Sequence, residues 1–400
     1  MKKLLCFAVA VFLILPLTSD ADSAVSRLEE KQFPLIMFAV PQSDAAFSQM
    51  KEMGIDYVHV YGMSVGPLDQ ARLKSIRSYL DLAQKHGLKV MFDLDGSRRI
   101  RQEDKKLALE ETRLLTQEFK DHPALGFWYL YDEPELSKGS SPEVLKQFYN
   151  LLKQETPNIP VAVCTATALE ARSGLDYKWS SFLETYDIHI FDTYPVKGQV
   201  FPQAKLTTVT EFNKKALALG KPVFPALQAF NYFTIDRYVK NAEEAGQSAA
   251  NWRAPNRQEL RFWNFSTLIQ GARGMSYWSY ARAATVPKAN PAWVSGTLKP
   301  AVLEFREFTD IVHPASEKEA IETGTGDLFF AKWVRGDKSY FALVNGKGEA
   351  QNVTNSKVLD ALSGKTLRPW KFTRPDAATS LNGQITKVDL QPWEVLIWVK

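Results

Sequence analysis

Gly126-Phe127-Trp128-Tyr129-Leu130-Tyr131-Asp132-Glu133-Pro134 is an apolar, aromatic run ending in two adjacent carboxylates and a proline. A polar turn follows, and Ser141-Pro142-Glu143 then opens a helix, with Ser as N-cap and Pro at the first helical position. The next apolar run, Pro160–Thr165, completes a strand–helix–strand unit. Both strands are apolar on both faces, as parallel strands are when helices cover them outside and side chains fill them within.

The same unit recurs on either side. Leu35–Val40, Tyr57–Tyr61 and Lys89–Asp95 precede it; Asp187–Tyr194, Pro222–Phe230 and Gly274–Tyr280 follow, making eight candidate strands. In the second helix Leu73, Ile76, Leu80 and Ala83 recur at helical spacing, and Gly87 stands where a C′ glycine ends a helix. Before the eighth strand, Asn256 with Glu259 forms a capping-box pattern ahead of Leu260, Trp263 and Leu268. Eight such units fit a (β/α)₈ TIM barrel better than an open doubly wound sheet, and no Gly-x-Gly-x-x-Gly follows a strand.

After about residue 313 the helical pattern stops. Asp327–Arg335, Lys338–Asn345, Gln351–Thr354, Val358–Leu362, Thr366–Phe372 and Glu394–Val399 read as strands separated by Gly-Asp, Gly-Lys-Gly, Ser-Gly and Asn-Gly turns. The expected layout is a signal peptide at 1–21, a barrel at 22–312 and a small all-β domain at 313–400. The leader rests on basic Lys2-Lys3, the apolar run Leu4–Leu17 and the small residues of Ser19-Asp20-Ala21. It predicts a secreted or periplasmic protein, with no membrane span after cleavage.

Of 400 residues, 45% are hydrophobic and 24% charged, which suits a globular chain with a large core. The net charge of +4 is small, and Lys and Arg are interspersed with acids, so no nucleic-acid face is expected. Cys6 lies in the leader, leaving Cys164 without an internal disulfide partner. The five His are not spaced as metal ligands, and no metal or other cofactor is expected.

In a TIM barrel, reactive groups stand at the C-terminal ends of strands. Those ends supply Asp93 and Asp95 from the third, Asp132 and Glu133 from the fourth, and Asp192 and Tyr194 from the sixth. The seventh adds Gln228 and the eighth Trp278. Carboxylates and amides bind sugar hydroxyls, and flat rings stack on sugar C–H faces, so a carbohydrate partner is expected. Structural roles compete with each assignment: Asp132 capping its loop with Glu133 in solvent, and Trp128 and Tyr277 filling core. Residues 231–255 form either a lid touching sugar through Tyr232 and Trp252, or a surface excursion with a helix over Tyr238–Ala249.

On these residues the barrel, over about 35–312, resembles the clan of retaining β-glycosidases with a TIM fold, and more closely relatives marked by Asp-Glu-Pro on the fourth strand. The C-terminal sheet resembles the accessory β-sandwich often appended to such barrels. The resemblance implies Glu133 as acid/base, Tyr194 as the residue orienting a nucleophile, and Trp278 as the sugar platform. The clan's seventh-strand Glu nucleophile is Gln228 here, and an amide cannot form a glycosyl-enzyme. Asp236 lies too far past the strand to replace it. The expected function is therefore a secreted glycoside hydrolase with Asp192, or less favourably Asp95, as second carboxylate. Asp95, Asp132, Tyr194, Gln228 and Trp278 are expected to bind substrate. The alternative is a non-catalytic carbohydrate-binding barrel. Strands four and six are not neighbours, so the wider carboxyl spacing of inverting enzymes is expected.

Overall fold

A computed structural model describes residues 32–63, 68–94, 104–136, 140–166, 178–199, 202–313, 317–320, 327–364 and 367–400. The expected leader lies outside the described residues. Eight parallel strands close into a barrel in chain order: β1 (Leu35–Met37), β2 (Tyr57–Val58), β3 (Lys89–Asp93), β4 (Leu125–Asp132), β5 (Val161–Ala166), β6 (Ile188–Asp192), β7 (Ala226–Gln228) and β8 (Met275–Trp278). The interior is filled by alternate residues of successive strands, among them Ile36, Met91, Phe127, Tyr129, Ile188 and Phe224.

The helices begin and end where local chemistry directs. Ser141 accepts from the Val144 N–H at the start of Pro142–Glu155, and Asn256 and Glu259 form a reciprocal capping box at the start of Arg257–Gln270. Gly87 takes φ 64° just past the helix Gln70–Lys85. Gly126 answers a different need: a Cβ there would stand 2.5 Å from the Tyr57 ring inside the barrel. Gly126→Ala is expected to destabilise the fold by about 1–3 kcal/mol through overpacking. Urea unfolding checks this, and an unchanged midpoint would contradict it.

The C-terminal region holds two antiparallel sheets. One orders β13 (Arg368–Pro369), β16 (Val395–Val399), β11 (Lys338–Asn345), β10 (Leu328–Arg335) and β9 (Glu317–Ala320). The other orders β12 (Gln351–Val353), β15 (Gln384–Leu390) and β14 (Ala378–Leu381). One expected strand is a helix. Asn355 caps Ser356–Leu362, and Val358 and Leu362, one turn apart, are buried in the small domain's core. A short apolar run cannot tell a strand from one buried helical turn, and the cap decides it. β9, β14 and β15 carry too many polar residues to announce themselves.

The larger sheet packs on the barrel's last helices. Helix Arg257–Gln270 buries eleven of its fourteen residues because it lies between barrel and sheet. Phe262 meets Phe329 and Trp393 of the sheet region, while Phe265 meets Phe305 and Phe308 of the helix Lys299–Val312.

Candidate active site

Strand β4 aims the site through an irregularity. Phe127 and Tyr129 point into the barrel and Trp128 and Leu130 point out, but the pairing with β5 shifts between Tyr129 and Tyr131. A bulge of this kind reverses the alternation. Tyr131 therefore packs outward, and Asp132 turns inward to accept a 2.6 Å hydrogen bond from the Tyr129 hydroxyl. At Glu133 the backbone enters the left-handed region, φ 54°, and its N–H donates to the Cys164 carbonyl at 2.8 Å. A non-glycine residue held there costs on the order of 1–2 kcal/mol, a strain that clusters at functional sites.

Asp192 ends β6, and its carboxyl hydrogen-bonds that of Glu133. The expected wide separation is therefore corrected. β5 lies between the two strands and offers only the small side chains of Cys164 and Ala166 to the same cavity, so the longer carboxyls lean over it and meet.

Burial governs the protonation of this cluster. It pushes Glu133 up to about 7, with the Asp132 charge adding to the rise, and raises Asp192 well above the carboxylate range, reinforced by Glu133. Asp132 is also raised by burial, against hydrogen bonds from Tyr129 and Tyr61 that favour its anion. Burial thus favours a proton held by the Glu133–Asp192 pair.

Glu135 follows in a short 3₁₀ turn, Pro134–Leu136, and accepts from the Ala166 N–H. Burial pushes it up to about 8. An unfolded Glu ionises near 4.5, so this group's stabilising contribution is complete below that pH and disappears as pH rises through about 8. Glu135→Gln keeps the carbonyl acceptor and cannot ionise. It is expected to raise stability at pH 8.5 by on the order of a few kcal/mol and to leave it unchanged at pH 4. Thermal unfolding at the two pH values checks this, and equal shifts would refute it.

The carboxyls form the floor of a cavity of ≈ 630 Å³. Its aromatic wall is built on Trp278, stacked on Tyr194 at 5.2 Å and met edge-on by Phe230 at 4.7 Å. Trp278 Nε1 donates to the Tyr61 hydroxyl at 3.0 Å, and Tyr61 donates in turn to Asp132. Tyr61 thereby ties the platform to the acidic floor. The sequence analysis missed it, although it closes the second candidate strand. Arg237, on the helix Asp236–Glu244, also lines the cavity and was missed, because the helix that carries it stands in a long loop.

Of the expected site residues, the structure brings together Asp132, Glu133, Asp192, Tyr194 and Trp278. Gln228 is corrected: it is buried, its amide donates to the Val196 and Phe230 carbonyls, and its oxygen accepts from the Val196 N–H. No polar atom is left for a substrate, so Gln228 holds the loop after β6 instead. Asp95 lies outside the described residues, and Asp93 accepts from the Gly62 N–H. Trp128 and Tyr277 fill core, donating to Thr156 and Asn264. Tyr232 lines the cavity, whereas Trp252 packs edge-on against Tyr232. Asp236 is exposed and paired with Lys288 at 3.1 Å. Among the described residues no group of His, Cys, Asp and Glu is arranged to hold a metal ion, and no helix is long and apolar enough to cross a membrane.

No family model matches the chain, and no curated protein matches it. Solved structures do. A family 39 glycoside hydrolase from Bacteroides cellulosilyticus WH2 aligns with TM-score 0.53 at 12% identity, covering 93% of this chain and 81% of that one. An α-amylase from Geobacillus thermoleovorans aligns with TM-score 0.52 at 11% identity, covering 92% and 98%. A β-galactosidase from Marinomonas ef1 gives TM-score 0.50 at 12% identity over 68% of this chain, which spans only 59% of that protein's length. At these identities the likeness concerns the fold. The chain is a TIM barrel with an appended all-β domain, the fold of solved glycoside hydrolases.

Proposed function

We propose that this is an exported enzyme that hydrolyses glycosidic bonds in an oligo- or polysaccharide, with Glu133 as proton donor and Asp192 as second carboxylate. One observation carries the reading: two carboxyls share a hydrogen bond on the floor of a cavity walled by Trp278, Tyr194 and Tyr61. A sugar ring stacked on Trp278 sets its glycosidic oxygen above the pair, while Asp132 and Tyr61 bind its hydroxyls.

The singly protonated pair has what the reaction needs: one proton for the leaving oxygen and one carboxylate for the anomeric carbon. Carboxyls in contact part less to reach the about 5–5.5 Å of a retaining pair than the about 6.5–9.5 Å that admits a water between them. Double displacement is therefore favoured. Asp192 attacks the anomeric carbon as the Glu133 proton passes to the departing oxygen. Water, deprotonated by Glu133, then cleaves the glycosyl ester and restores both groups.

Reducing-end release from a glycan panel, parent against the Glu133→Gln/Asp192→Asn double variant, tests the reading, with proton NMR of the first product anomer. Release by the parent alone, with retained configuration, is expected. Inversion would remove Asp192 as nucleophile, and activity in the double variant would remove both residues. A second reading, a barrel that binds glycans without cleaving them, is favoured by Gln228, which leaves the seventh-strand end without a carboxylate. Calorimetric binding by a parent that releases no reducing ends would establish it.

A further inference from the structure

One wall of the cavity bears charge of the opposite sign to its floor. Arg237 lines the mouth beside Tyr232 and Tyr238, close enough for its charge to act on Glu133. Its guanidinium lies 4.8 Å from the Tyr238 ring centroid and donates to the Tyr238 hydroxyl at 3.2 Å. Lys197 does not line the cavity but stands against two of its rings, its ammonium 4.7 Å from the centroid of Tyr232 and 5.6 Å from that of Tyr238. The neighbouring cations are neutralised within the protein: Lys240 pairs with Glu244 and Lys288 with Asp236. Among the described residues Arg237 and Lys197 have no acidic partner.

One cation thus lines a sugar-sized cavity and a second stands against the rings beside it, neither in an ion pair among the described residues. The carboxyls on its floor engage one another and the tyrosines, leaving the guanidinium fork of Arg237 open to a planar or tetrahedral anion. We propose that the substrate is an anionic glycan, and that Arg237, supported by Lys197, binds the carboxylate or sulfate of a sugar unit next to the one that undergoes cleavage. This rests on the reading of the mouth as a sugar site, and it adds the charge of the sugar.

Calorimetry on the Glu133→Gln protein separates binding from cleavage. The probes are a neutral xylo-oligosaccharide, a glucuronate-substituted one and a sulfated oligosaccharide of similar length. The charged ligands are expected to bind roughly 10- to 100-fold more tightly than the neutral one, the span of a charge-assisted hydrogen bond, with the advantage shrinking in high salt. Adding Arg237→Gln should remove most of that advantage while reducing neutral binding far less, and Arg237→Lys should restore part of it. The tighter of the two charged probes identifies the anion. Equal affinity for charged and neutral ligands, or equal losses for both in Arg237→Gln, would overturn the inference. Cleavage of neutral glycans alone by the parent would overturn it while leaving the hydrolase reading intact. A charge preference in a parent that cleaves nothing would uphold it and sink the hydrolase reading.

Discussion

Glu133→Gln is expected to lower kcat/KM by about 10²–10⁴-fold, the range of a lost general acid, while leaving the fold intact. Gln matches Glu in shape and can still donate to Asp192, but it has no proton of the right acidity to give. Asp192→Asn is expected to cost at least as much, because it removes the proposed nucleophile. On the proposed mechanism the double variant should be scarcely worse than either single one, because residues that act as one unit are strongly non-additive. Multiplicative losses would show the two carboxyls acting separately and would end the proton-sharing argument.

The same pair sets the pH dependence. With Glu133 pushed up to about 7 and Asp192 also raised by burial and by Glu133, the pair holds its protons well above the usual carboxylate range. As pH rises through about 7 the pair loses one proton and becomes competent, and it fails again when the second proton leaves. kcat/KM, which reports the free enzyme, is expected to trace a bell whose acid limb falls near pH 7. Peak activity at pH 5 would mean that the carboxyls ionise independently of each other.

The barrel was legible because its signals are local and redundant. Each strand is an apolar run, and caps such as Ser141 and Asn256 mark where helices begin. Legibility stopped where one residue's role depends on a distant partner. Nothing in Phe127–Glu133 announces the register shift that turns Asp132 inward, and only the small Cys164 and Ala166 on the intervening strand let Glu133 meet Asp192. Gln228 illustrates the opposite error. Strand-end position suggested substrate contact, yet its amide is consumed by the backbone at Val196 and Phe230. Tyr61 and Arg237 escaped because their value lies in what they touch, a carboxylate and a cavity rim, rather than in any motif.

Glu304→Ala is expected to destabilise the protein by about 3–5 kcal/mol, the cost of stranding buried charge. Glu304, on the helix Lys299–Val312, is 2% exposed, and Arg261, on the helix Arg257–Gln270, is 7% exposed. The guanidinium grips both carboxylate oxygens at 2.9–3.1 Å, and Arg257 approaches within 3.7 Å while its guanidinium sits 3.5 Å from the Phe372 ring centroid. Removing the carboxylate leaves Arg261 charged, largely dry and beside a second guanidinium. Arg261→Met with Glu304→Leu removes both charges and fills the volume, so the double change should cost far less than the single one. Because the pair joins the helix between barrel and sheet to its neighbour Lys299–Val312, the loss should appear as one cooperative transition at lower urea. Early release of the β domain alone would instead mean that the junction helps hold the sheet in place but contributes little to the barrel.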